Sequence, residues 1–172
     1  MRNRQFGFTV AALVFALDQL SKYWVTGPLG VDRDGAIYYF VSFFQFTFTK
    51  NQGISLGLLN ATNPTGRWML VALTSAIAVG VAYWIGKEEN RVDRIALGMV
   101  LGGALGNIVD RSRHGYVVDF LDLHFGDFRP FLVFNVGDAA ISIGVVILLL
   151  RAFLTRKEPR EGAGPEETIE HA

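Results

Sequence analysis

PFLVFNVGDAAISIGVVILLL, residues Pro130–Leu150, decides how this chain folds. The run is long enough to cross the roughly 30 Å of bilayer hydrocarbon, for which about 20 mainly apolar residues suffice. A single charged residue interrupts it, Asp138. A carboxylate at mid-membrane costs roughly 2.5–3.5 kcal/mol on insertion scales. Its presence therefore points to chemistry, and Asp119, in the apolar stretch VVDFLDL, is the candidate partner.

Three further apolar runs lie upstream, at about Phe6–Val25, Arg67–Gly86 and Ile95–Asp110, and the fourth extends over Pro130–Phe153. With 51% apolar residues in 172, this pattern predicts an all-α membrane protein of four transmembrane helices. One membrane-embedded domain covers residues 1–156. The polar stretch 157–172, rich in Pro, Gly and Glu, reads as a disordered cytoplasmic tail. The first run is retained rather than cleaved as a signal peptide, because Asp18 breaks it and Ser21-Lys22-Tyr23-Trp24 offers no small-x-small site.

Nine Lys and Arg residues fall in the N-terminal, second-loop and C-terminal segments, against seven spread over the longer alternate loops. That density places both termini in the cytoplasm. The chain has no cysteine, which excludes disulfides, thiolate zinc sites and thiol nucleophiles, and its zero net charge gives no argument for nucleic acid.

Between the first two runs, Phe44, Phe46 and Phe48 alternate with Gln45, Thr47 and Thr49. This period of two predicts a strand in a small extracytoplasmic β-sheet lying on the bilayer. In the third run, Gly98, Gly102 and Gly106 recur every four residues, which lets another helix approach closely.

The polar residues gather at one side of the membrane. Asn107, Asp110 and Arg111 share one helical face, Asn135 stands three residues before Asp138, and Asp18 and Lys22 form an i,i+4 pair. Asp110 beside Arg111 also reads as a helix end held by an ion pair. Asp119 and Asp138 have no adjacent basic residue. Two carboxylates sharing a dry site hold one proton between them, which is the state that aspartic proteolysis uses. Asp122, three residues beyond Asp119, is an equal candidate by pattern alone. There is no HExxH zinc motif and no GxSxG elbow. A proton-coupled transporter would distribute its polar groups through the membrane depth, and a scaffold would leave Asp138 without a purpose.

Five segments, DQLSK (Asp18 to Lys22), NQGIS (Asn51 to Ser55), GNIVDR (Gly106 to Arg111), VVDF (Val117 to Phe120) and FNVGDA (Phe134 to Ala139), occur in order. Together they resemble lipoprotein signal peptidase, or signal peptidase II, over nearly the whole chain except the acidic tail. The resemblance implies a four-helix aspartyl endopeptidase of the bacterial inner membrane that cuts prolipoproteins just before their diacylglyceryl-modified cysteine. It places the catalytic pair on Asp119 and Asp138, selecting Asp119 over Asp122. Asn51, Asn107, Arg111 and Asn135 take substrate-contacting or site-shaping positions, with Asp18, Lys22, Gly53 and Asp110 in support. The aromatic strand resembles the family's extracytoplasmic cradle. The implied partners are the lipid-modified prolipoprotein and membrane lipid, with no obligate protein partner and no metal or organic cofactor. Where the family often reads Ala-Asp-Ser, this chain has Gly137-Asp138-Ala139. A nearby hydroxyl is thereby lost, and Gly137 lowers helix propensity by up to about 1 kcal/mol relative to Ala.

Overall fold

A computed structural model of the chain describes residues 2–53 and 64–155. The predicted tail and the segment before the second run, including Ile54 and Ser55 of NQGIS, lie outside the described residues. Four helices and three strands follow one another: α1 (Arg2–Thr26), β1 (Ile37–Val41), β2 (Phe44–Asn51), α2 (Pro64–Lys87), α3 (Arg91–His114), β3 (Val117–Leu123) and α4 (Val136–Leu154). The strands form one antiparallel sheet in the order β1-β2-β3, so the aromatic alternation at Phe44–Phe48 does mark a strand.

By length and composition, α2, α3 and α4 can each cross a membrane. α1 matches them in length, but its C-terminal half carries Asp18, Gln19, Ser21 and Lys22. Those charges do not face outward. Asp18 and Lys22 are buried, while Leu13, Leu17, Leu20 and Trp24, at helical spacing, are exposed. α1 is thus apolar on its outer face and charged toward the protein interior, which inverts the usual pattern of a water-soluble helix.

α3 is the central helix: half of its apolar window is buried, against 17% for those of α2 and α4. Glycine makes this centrality possible. A Cβ on Gly98 would lie 2.5 Å from the Gly7 carbonyl oxygen, and Cβ atoms on Gly102 and Gly106 would collide with the Ala11 carbonyl and the Asp18 carboxylate. The four-residue glycine spacing therefore seats α1. One residue further round, Gly103 meets the Gly137 carbonyl and seats α4, while Gly144 of α4 packs on the Ala96 carbonyl. Backbones this close are held by many small dispersion contacts rather than by a hydrophobic driving force.

α3 begins at Asn90, whose side chain accepts from the Val92 and Asp93 N–H groups, and ends at Gly115 with φ 85°. That left-handed residue turns the chain straight into β3. The long apolar run starting at Pro130 becomes helical only at Val136. Before that, Phe134 pairs with Leu121 of β3, so the first residues of the run extend the sheet. Val25 and Val31 pack with Phe46, Phe48, Val118 and Phe120, joining the end of α1 to the sheet. The sheet is thereby fixed over one end of the helix bundle.

Candidate active site

Asp119 and Asp138 arrive from different kinds of structure. Asp119 sits on β3 with 2% exposure. Asp138 is the third residue of α4, where its Oδ2 accepts from the Asn135 N–H while the Asn135 Oδ1 accepts from the Asp138 N–H. This reciprocal capping box explains Asp138 locally: a carboxylate in a first helical turn also lies at the positive end of the helix dipole.

Asparagines connect the two carboxylates. Asn135 donates from Nδ2 to Asp119 Oδ1 at 2.6 Å, and Asn51 donates from Nδ2 to Asp119 Oδ2 at 2.9 Å. Asn107 donates from Nδ2 to Asp138 Oδ1 at 2.8 Å, and its Oδ1 accepts from Asn135 at 3.2 Å. The Gly53 N–H closes on the Asn51 Oδ1 at 2.9 Å, with Gly53 itself at φ 94°. A residue with a side chain is strained there, which accounts for glycine two residues after Asn51.

Burial raises the Asp119 carboxyl to about 7, and the nearby charge of Asp138 pushes the same way. Hydrogen bonds from Asn51 and Asn135 and the charge of Lys22 oppose this shift without cancelling it. A carboxyl in that state carries a proton for much of the time near neutrality, which suits general acid–base chemistry.

Behind the pair lies a buried ionic knot. Lys22 Nζ is 2.7 Å from Asp18 Oδ2 and 2.8 Å from Asp110 Oδ2. Asp18 Oδ1 accepts from the Gly137 N–H, and Asp110 Oδ2 accepts from the Val118 N–H. Each carboxylate thus pins the backbone beside one member of the pair, Gly137 next to Asp138 and Val118 next to Asp119. Asp110 finds its ion-pair partner in Lys22 across helices, not in neighbouring Arg111 as the sequence spacing also suggested. The Arg111 guanidinium lies within electrostatic reach of Asp110, Asp119 and Asp138, and its buried Nε has no hydrogen-bond partner among the described residues.

Asp122 belongs to a different cluster. Its Oδ2 accepts from Gln45 at 2.8 Å and Thr47 at 3.0 Å, and it is ion-paired with Arg129. Burial alone would raise this carboxyl, but the bonds from Gln45, Arg129 and Thr47 outweigh it and hold the group below its ordinary value. Three steps along a strand turn a side chain to the other face, a signal present in VVDFLD itself.

Two cavities flank the pair. One of about 260 Å³, mostly apolar, is lined by Asp138, Ala139, Ser142, Ile143, Phe131, Leu132 and Phe134. The other, about 430 Å³ and more polar, is lined by Asp119, Asn51, Gln52, Gly53, Thr49, Lys50, Leu132 and Val133. Leu132, 90% exposed, stands between them.

Residues 10–154 match the family model described as signal peptidase (SPase) II. The chain belongs to the signal peptidase II family. It is 52% identical to a lipoprotein signal peptidase of Rhizorhabdus wittichii, covering 92% of this chain and 91% of that one. A lipoprotein signal peptidase of Sphingopyxis alaskensis is 53% identical over 87% and 86% of the two chains. Among solved structures, a bacterial membrane enzyme determined by the in meso method at 2.3 Å superposes with a TM-score of 0.74 at 25% identity, covering 91% of this chain and 93% of that one. Signal peptidase II membership makes this chain a peptidase.

The structure brings together all ten site residues expected from the sequence, in two connected layers. Sequence reading missed Gln19, which donates from Nε2 to Asp18 Oδ2 at 3.2 Å and to Asp110 Oδ1 at 3.1 Å. An amide in an apolar helix is itself a signal, since such groups seek polar partners. The roles of Gln45, Thr47 and Arg129 depend on sheet register and carried no signal of their own.

Proposed function

We propose that this chain is an aspartic endopeptidase of the bacterial inner membrane. It removes the signal peptide from lipid-modified prolipoproteins by cleaving just before the diacylglyceryl-cysteine. The observation that carries this reading is the Asp119–Asp138 pair: two carboxylates from different elements, linked through Asn135, with Asp119 held up to about 7 by burial and its neighbour's charge.

In this mechanism Asp138, ionised, takes a proton from water as the water oxygen attacks the scissile carbonyl carbon. Asp119, protonated, gives its proton to the carbonyl oxygen, so a neutral gem-diol forms. Collapse breaks the C–N bond: Asp138 returns its proton to the departing cysteine nitrogen and Asp119 recovers one from the gem-diol. Arg111, its guanidinium within electrostatic reach of both carboxylates, takes the substrate-contacting role beside the pair. Asn51, Asn107 and Asn135 hold the carboxylates in place, and the knot of Asp18, Lys22 and Asp110 supports them with Gly53.

Residues 1–156 form the membrane-embedded domain in this reading, and 157–172 are its cytoplasmic tail. Four spans follow from giving α1 a place in lipid, which its exposed Leu13, Leu17 and Leu20 and its inward charges support. Both termini then face the cytoplasm, and the pair lies near the outer face under the sheet. A substrate whose signal helix and acyl chains lie in the bilayer reaches such a site by lateral diffusion, and the mostly apolar cavity beside Asp138, lined in part by the exposed Phe131, Leu132 and Ile143, suits it.

Asp119→Asn and Asp138→Asn each lower turnover of a lipidated prolipoprotein by about 10³-fold or more while the protein still inserts and folds. Wild-type turnover by either purified variant overturns the assignment.

A further inference from the structure

The ammonium of Lys22 has three N–H donors, and three acceptors surround it: Asp18 Oδ2 at 2.7 Å, Asp110 Oδ2 at 2.8 Å and Asn107 Oδ1 at 3.4 Å. Two of these are charge partners. The third is the amide that touches Asp138.

An amide side chain can turn over and exchange its oxygen for its NH2 group, and only its neighbours decide which end points where. An ammonium can donate but not accept, so the Asn107 atom facing Lys22 must be the oxygen. The second lone pair of that oxygen takes the Nδ2 of Asn135 at 3.2 Å. Asn107 therefore presents its NH2 to Asp138. The other two amides at the pair are oriented in the same way by groups that only donate, the Asp138 N–H for Asn135 and the Gly53 N–H for Asn51. Those two locks are backbone. The lock on Asn107 alone is completed by a side-chain cation, drawn from α1, which makes no direct hydrogen bond to either carboxylate.

We infer that Lys22 is a positioning residue for the peptidase reaction: it fixes the Asn107 amide so that Asp138 receives a donor and keeps its general-base geometry. This rests on the catalytic reading of Asp119 and Asp138 given above. Without the cation, only the neutral 3.2 Å bond from Asn135 holds the Asn107 oxygen, and the amide is freer to swing off Asp138 Oδ1. The effect falls on the chemical step, because Lys22 is buried at 5% exposure and lines neither cavity beside the pair.

A double-mutant cycle on the full-length enzyme in lipid, with a lipidated prolipoprotein peptide, separates this role from mere charge balance. Lys22→Met lowers kcat by about tenfold or more, the worth of one hydrogen bond to a charged group, and leaves KM within about twofold. Asn107→Ala lowers kcat likewise. Lys22→Met/Asn107→Ala is within about twofold of Asn107→Ala alone, since the lysine acts through that amide. Should Lys22→Met fail to fold because Asp18 and Asp110 lose their counter-ion, the triple variant Asp18→Asn/Lys22→Met/Asp110→Asn removes all three charges together. Because Asp18 and Asp110 also pin backbone beside the pair, the reading there is the coupling: adding Asn107→Ala to the triple variant lowers kcat by no more than about twofold, against about tenfold in the wild type. Losses that multiply in the double variant, or a full further loss of about tenfold on adding Asn107→Ala to the folded triple variant, overturn the inference. Asp119→Asn and Asp138→Asn run alongside: if those retain activity, the catalytic reading has failed and not the lock.

Discussion

Asn51 meets Asp119, Nδ2 to Oδ2 at 2.9 Å, because β2 holds one residue more than β3 between them. Phe46 pairs with Leu121 and Thr49 with Asp119, so three steps on β2 match two on β3. Strict alternation would put Asn51 on the face of Gln45, six residues back, whose partner is Asp122. The irregularity turns the end of β2 over and delivers Asn51 to the other carboxylate. Bulges re-aim side chains in this way and cluster beside functional sites.

Deleting Thr47 makes this ladder regular but leaves Thr49 opposite Asp119 and Asn51 opposite Val117, so Asn51 keeps facing Asp119. Turnover of the deletion variant therefore stays within a few-fold of wild type, whereas Asn51→Ala lowers it about tenfold by the loss of one charge-assisted hydrogen bond. Circular dichroism and thermal unfolding verify that the sheet survives, and a folded deletion variant as impaired as Asn51→Ala refutes this register.

The Asp119 carboxyl, raised to about 7 from an ordinary value near 4 by burial and then by Asp138, fixes a sign for the pH dependence. Below about 7 the group is protonated and can donate to the scissile carbonyl; above it the donor is lost. The kcat/KM profile consequently falls as pH rises through about 7. Stability moves the same way. The folded state holds this proton more tightly than the unfolded chain, so between about pH 4 and 7 each rise in pH favours unfolding. Asp119→Asn removes both slopes, readable by a pH series of turnover and of thermal unfolding in one detergent. A kcat/KM that stays level from about pH 6 to 9 counts against a proton on Asp119.

Much of this arrangement is legible in the chain before any coordinates. The apolar runs mark α2, α3 and α4, the Phe44–Phe48 alternation marks β2, and the glycines at 98, 102 and 106 mark the face of α3 that receives α1. These features are local, and period and side-chain size announce them. What escapes is set by pairing. Gln19 is legible only as an unexplained amide until α3 brings Asp110 to it. The choice between Asp119 and Asp122 needs the register of β3, and the reach of Asn51 needs a bulge that no composition signals. Helix onset is the intermediate case. The run from Pro130 reads as continuous, but Phe134 is claimed by β3 and Asn135 by the cap, so the helix starts at Val136.

Asp122→Asn keeps its activity in the same assay, because its partners Gln45, Thr47 and Arg129 belong to the sheet and not to the pair. Its cost is stability, about 1–3 kcal/mol for weakening a buried, charge-assisted cluster. Since the cluster holds this carboxyl below its ordinary value, its contribution is present above about pH 4 and fades as pH falls. The thermal midpoints of wild type and variant therefore converge on acidification. An inactive but folded Asp122→Asn enzyme reopens the choice of strand carboxylate.

Two glycines in different settings give opposite results on the same substitution. A Cβ on Gly80, in α2, meets nothing within 4 Å. Gly80→Ala therefore raises stability by up to about 1 kcal/mol through helix propensity and leaves turnover unchanged. A Cβ on Gly103 collides with the Gly137 carbonyl and comes within 2.9 Å of Ile141 Cγ1. Backbone cannot yield as a flexible side chain does, so Gly103→Ala pushes the first turn of α4 away from α3. Asp138 sits in that turn, one residue past Gly137, and its 2.8 Å bond from Asn107 crosses the same gap. Turnover then falls more than the thermal midpoint predicts, since a displacement of under an ångström at a catalytic carboxylate costs rate before it costs fold. Equal and small effects of the two substitutions would show that the α3–α4 spacing does not set the position of Asp138.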